Sequence, residues 1–147
     1  MGSEHDVRVL SERESNTLWS RLQARWGVTP ESYWFPLTNK SSPTDIVAFQ
    51  ADPFEDNVPI LKGILVDHGI NRLFELREHE LVREVSVSEL DPYYNGTEGF
   101  WTSNDIDWLI YASHENSITV AGDWLVTAIA AKWPDWQQHL YRENEGQ

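Results

Sequence analysis

The chain has 147 residues, 40% of them hydrophobic and 12% aromatic, with eight tryptophans, which is enough for one domain with a sizeable core. A formal net charge of −13 disfavours direct binding to nucleic acid or anionic lipid, and the lack of cysteine excludes disulfide scaffolds, thiolate nucleophiles and cysteine-ligated zinc. No apolar run approaches the ~20 residues of a membrane span, and the start MGSEHDVRVL lacks the basic and apolar regions of a signal peptide, so a cytoplasmic protein with no membrane association is expected.

Lipidation is discarded because Asp6 stands where a myristoylation site wants Ser or Thr. Ser11 and Glu14 have capping-box spacing, and Leu18, Trp19, Leu22 and Trp26 share one helical face, so a first helix is expected from there to Gly27. The stretch ESYWFPL alternates weakly, TNKSSPTD is loop chemistry and IVAFQ is a short buried-strand run, together two strands joined by a turn. Asp52, Pro53 and Glu55 read as the N-cap, first and third positions of a second helix. Pro59 is expected to split off its first turn from the part carrying Ile60, Leu61, Ile64 and Leu65, and Gly69 to stop it.

NRLFELRE and EVSVSEL then read as strands, the second alternating cleanly with Val85 and Val87 on one side. Turn residues at Asn95, Gly96 and across SHENS, 113–117, separate two or three further strands. Asp123 can cap a third helix that turns Leu125, Ile129 and Trp133 to one face before Pro134. No repeat or linker divides the chain, so a single α+β domain is expected over 1–147, fraying at 1–10 and 141–147. Its mainly antiparallel sheet has about five to seven strands, covered on one face by about three helices.

The cluster Ser113, His114, Glu115 invites a catalytic reading. On a strand Ser113 and Glu115 share one side and His114 takes the other, which excludes a local triad; in a turn, His114 and Glu115 sit at the sheet rim. The nucleophile elbow G-x-S-x-G and the glycine patterns of phosphate loops are absent. His5, His68, His79, His114 and His139 lack metal-ligand spacing, and His79 in REHE reads as a solvated strand end, so neither metal nor cofactor is expected.

If the chain is an enzyme, the candidates are rim groups of a small hydrolase: His114, Glu115, Asp107 and Glu98. The excess of Trp and Tyr beside acids supports a binding surface instead. There Tyr93, Tyr94, Glu98, Phe100, Asp105, Asp107 and Glu115 are the candidates, with Tyr93, Tyr94 and Phe100 the aromatics expected to be exposed. Most of Trp34, Trp101, Trp108 and Trp124 are expected in the core.

The stretch YNGTEGFWTSNDIDWLIYASHENSITVAGDWL, residues 94–125, resembles small acidic bacterial immunity-type proteins that neutralise polymorphic toxins. The resemblance implies a protein that acts by binding a toxin, often over its active site, with no catalytic residues to carry across. The expectation is therefore a non-enzymatic inhibitor of a basic protein such as a toxin nuclease. A small hydrolase and an accessory subunit of a larger complex stand as alternatives, and acidity serves solubility in any case.

Overall fold

The computed structural model describes residues 7–26, 46–77, 80–94, 96–113 and 117–140. The fold is α+β, with a seven-stranded, wholly antiparallel sheet and, among the described residues, three helices of seven or more residues and a shorter one. In chain order the elements are β1 (Arg8–Val9), α1 (Glu12–Trp26), β2 (Ile46–Gln50), α2 (Ala51–Asp56), α3 (Val58–Asp67) and β3 (Arg72–Arg77). They are followed by β4 (Arg83–Ser86), β5 (Gly99–Thr102), β6 (Leu109–Ser113), β7 (Ser117–Ala121) and α4 (Asp123–Lys132). The strands lie in the order β1, β4, β3, β5, β6, β7, β2.

Local signals place the first helix. The Ser11 amide donates to Glu14 Oε1 at 2.9 Å and the Glu14 amide donates to Ser11 Oγ at 3.1 Å, the reciprocal capping box that the spacing predicts. Replacing Ser11 with Ala is expected to cost about 1 kcal/mol in urea melts, the usual loss for such a cap. Asp52→Ala is expected to cost almost nothing, which corrects the sequence reading of Asp52 as N-cap. Helix α2 begins two residues earlier than expected, at Ala51, with Gln50 as N-cap and no side-chain cap. Ala51 and Phe54, 5% and 3% exposed and three residues apart, share the buried face of this earlier-starting helix, and Asp52 between them faces out.

Pro59 separates α2 from α3 as expected, lying in the first turn of α3 where its missing N–H is not needed. Helix α3 ends in a Schellman arrangement: the Gly69 amide donates to the Val66 carbonyl and the Ile70 amide to the Leu65 carbonyl, both at 2.9 Å, with Gly69 at φ +86°. Helix α4 starts from Gly122 as N-cap, so Asp123 lies inside its first turn and does not cap it. The second strand of the middle region is shorter than its alternation suggests, since Val87–Glu89 forms a 3₁₀ turn.

The helices cover both faces of the sheet, not one. Trp101, Ile110, Ala112, Ile118 and Val120 point to the face packed by α2, α3 and α4. Phe100, Leu109, Tyr111 and Phe74 point to the other, where α1 contributes Leu18 and Leu22. Register supports the division, with Phe100 opposite Tyr111 and Trp101 opposite Ile110. The runs LIYA and ITVA are apolar but for Thr119, the composition of strands buried on two sides.

Within the segment 1–10 expected to fray, Arg8 and Val9 pair with Glu84 and Arg83 of β4 and Leu10 is 4% exposed, while residues 1–6 lie outside the described residues. The weak strand ESYWFPL and the C-terminal segment 141–147 lie outside the described residues.

Candidate functional site: an acidic, aromatic face

Burial of Phe54 holds α2 against the sheet and leaves Asp52, Glu55 and Asp56 exposed in one turn of helix. Across from them the segment after the 3₁₀ turn alternates: Leu90 and Pro92 are buried, while Asp91, Tyr93 and Tyr94 face out. The two segments come close enough for their charges to interact. The Glu55 carboxyl is raised above its ordinary value, first by partial burial and then by the negative charges of Asp52, Asp91 and Asp56. Tyr93 follows Asp91 by two residues, at most about 7 Å along the backbone, so the aromatic pair borders the carboxylates. Tyr93 and Tyr94 are 37% and 41% exposed, as the sequence reading expects.

Beneath the tyrosines lies Arg77 at the end of β3, 5% exposed and paired with Glu75 Oε2 at 2.8 Å. Its guanidinium sits 5.0 Å from the Trp101 ring and 5.6 Å from the Tyr93 ring. It also donates to the backbone carbonyls of Tyr93 at 3.3 Å and Thr97 at 3.4 Å, so it fixes the course of the segment that presents Tyr93. Sequence reading passed over Arg77, Asp52, Glu55, Asp56 and Asp91 as site residues. Only the acidic density of ADPFED hinted at them, since their proximity depends on a contact between α2 and a segment some 35 residues later.

Several sequence candidates lie elsewhere. Phe100 is 1% exposed and stacks on Tyr111 at 4.7 Å between centroids, so it belongs to the core and not to a surface. Glu98 is 4% exposed and accepts a hydrogen bond from the Tyr111 hydroxyl, a buried pair in place of an accessible carboxylate. Asp105 is exposed in the β5–β6 connection, and half-buried Asp107 accepts a hydrogen bond from Trp124 Nε1 at 3.2 Å. Glu98 precedes β5 and Asp107 follows it, so the four residues of that strand, at about 3.3 Å each, separate two of the three carboxylates considered for hydrolysis.

Ser113 pairs with Ser117 across the β6–β7 hairpin, while His114 and Glu115 lie outside the described residues, as does Trp34. Trp101 and Trp108 are buried and Trp124 is half-buried. Its indole is stacked on His68 at 3.6 Å beside a cavity of about 200 Å³ between α3 and α4, so that ring face is already covered.

Among the described residues no three His, Asp or Glu side chains converge on a possible metal site, and no helix is long and apolar enough to cross a membrane. No protein-family model, curated protein or solved structure matches the chain.

Proposed function

We propose that the protein is a non-enzymatic binding protein of the cytoplasm whose acidic, aromatic face engages a basic protein. In this reading it acts as an immunity-type inhibitor of a toxin such as a nuclease. One observation carries the reading: Glu55 is held among Asp52, Asp56 and Asp91, with two exposed tyrosines at their edge. Burial and its acidic neighbours disfavour the Glu55 carboxylate, and a lysine- or arginine-bearing partner relieves that cost while Tyr93 and Tyr94 supply apolar anchors. Hydrolysis draws less support, since Glu98 is buried against Tyr111 and Asp107 lies beyond the far end of β5.

Affinity capture from the native host is expected to recover a basic protein whose association slows as salt rises. Replacing Tyr93 and Tyr94 by Ala is expected to weaken that complex by about thirtyfold, a hot-spot loss near 2 kcal/mol. Neutralising Asp52, Asp56 and Asp91 together is expected mainly to slow association. A captured partner indifferent to both sets, or wild-type turnover in a screen of esters, phosphoesters and glycosides, would overturn the reading.

The pH dependence follows from Glu55. In the free protein its raised pKa means that, between the ordinary 4.5 and the raised value, the folded chain holds more proton than the unfolded one. Its contribution to stability therefore falls as pH rises through that window. A cationic partner favours the carboxylate, pulls the pKa back down and releases a proton. Binding is accordingly expected to tighten as pH rises through the same window, and Glu55→Gln to flatten that part of the profile.

A further inference from the structure

The opposite side of the sheet carries a groove lined by three arginines and one glutamate. Helix α1 places Arg13, Thr17 and Arg21 at four-residue intervals, so they form one row along its outer side, about 12 Å from first to last. With Arg8 of β1, Glu14 of α1 and Asn104 of the β5–β6 connection they wall a groove of about 310 Å³. Its floor is apolar, made by Leu10, Leu18 and Phe74, each less than one-tenth exposed.

The arginines differ in what they already hold. Arg8 pairs with Glu84 Oε1 at 2.9 Å and with Glu14 Oε2 at 3.3 Å, so its charge is offset within the wall. Arg21 donates one N–H to the Asn104 carbonyl at 2.7 Å and pairs with no described carboxylate, which leaves most of its five donors unused. Arg13 is exposed and has no hydrogen bond or ion pair among the described residues. In a chain with 24 acidic and 11 basic residues, two arginines without a carboxylate partner among the described residues, beside one apolar floor, point to an external anion.

We propose that this groove binds a small amphipathic oxyanion, a carboxylate or phosphate monoester. Its head is held by Arg13 and Arg21 over Thr17, and its apolar body rests on Leu10, Leu18 and Phe74. The planar guanidinium fork matches an oxyanion, the Thr17 hydroxyl is a further donor, and the floor rewards an apolar group that inorganic anions lack. A volume at the lower end of the ligand range, about 300 Å³, limits the body to roughly one ring or a short chain. The groove lies across the sheet from the acidic face, so the two sites can be tested separately.

The test is calorimetric titration of the full chain, at low salt, with phenyl phosphate and phenylacetate, against inorganic phosphate and benzyl alcohol. The aromatic anions are expected to bind saturably, at least about tenfold more tightly than either control, because each control lacks one half of the recognition. Arg13→Gln and Arg21→Gln are each expected to weaken binding about tenfold or more, the loss of a charge-assisted contact. Lys132→Gln, on the other side of the sheet, leaves it unchanged. Should Arg21→Gln lose its fold with its Asn104 latch, Arg13→Gln decides alone, since it removes no contact within the described chain. Equal affinity for inorganic phosphate, binding that survives Arg13→Gln, or no saturation up to roughly 10 mM, weaker than any affinity of −3 kcal/mol, would overturn the proposal. Arg13-dependent binding of poly-glutamate without binding of the small anions would overturn it too, in favour of an acidic peptide.

Discussion

Gly122→Ala is expected to lower the unfolding free energy by about 3–5 kcal/mol, the sum of a strained backbone and a steric clash, each ordinarily about 1–3 kcal/mol. Gly122 joins β7 to α4 at φ +120°, a conformation that L side chains rarely adopt. A Cβ there would meet the Asp107 carbonyl oxygen at 2.7 Å and Trp108 Cα at 2.9 Å. These are backbone atoms of the β5–β6 connection and cannot swing aside as a side chain would. They are also held in place: the Thr102 hydroxyl donates to the Trp108 carbonyl at 2.6 Å, and Trp108 Nε1 donates to Ser103 Oγ at 2.7 Å. Relief therefore means displacing either α4 or the buried Trp108. For a domain of this size the loss corresponds to a drop in Tm of roughly 10 °C. Gly63→Ala is the matched control. It sits in exposed mid-helix with nothing within 4 Å of its Cβ position, and is expected to stabilise the chain by about 0.5–1 kcal/mol through helix propensity. Similar melting of the two variants would show that α4 does not enter as described.

Arg77→Ala is expected to cost about 3–5 kcal/mol, the usual result of removing one partner from a buried ion pair. Glu75, 16% exposed, would keep only Arg83 at 3.7 Å as a described cation, and the Trp101 ring would lose the guanidinium over it. The carbonyls of Tyr93 and Thr97 would lose their donor as well, so the loss extends from stability to the geometry of the acidic face. Arg77→Lys is expected to restore little, because a single ammonium cannot serve a carboxylate, two carbonyls and two rings at once. Arg77→Met combined with Glu75→Gln is expected to recover much of the deficit, since it removes the stranded charge together with its partner. Unfolding free energies of Arg77→Met, Glu75→Gln and their combination form a cycle whose coupling measures the pair. A coupling near zero would mean that the Glu75 pair adds nothing and that Arg77 acts through the carbonyls and rings instead.

The features legible in the residue order are those whose causes lie within a few residues of one another. The Ser11–Glu14 capping box, the break at Pro59 and the helix end at Gly69 each depend on contacts spanning at most five positions, and each stands where the pattern put it. The α+β class follows for the same reason, because the strand and helix periods are local properties. Asp52 is not the cap although its local pattern is complete, because the helix already includes Ala51, which packs into the core beside Phe54.

Tertiary structure alone decided what lies on which side. Whether Phe100 and Glu98 face water depends on α1 closing the second face of the sheet, and α1 is held there by contacts as distant as Trp26 Nε1 to the Ile106 carbonyl, 80 residues apart. The acidic face likewise exists because α2 and Asp91 meet across the core edge, and the cationic groove because β1 and α1 flank the same floor. A strand's period of two assigns residues to alternating sides, but both sides of this sheet are apolar. Only the placement of the covering helices distinguishes core from surface, and that placement is fixed by long-range packing that no local window contains.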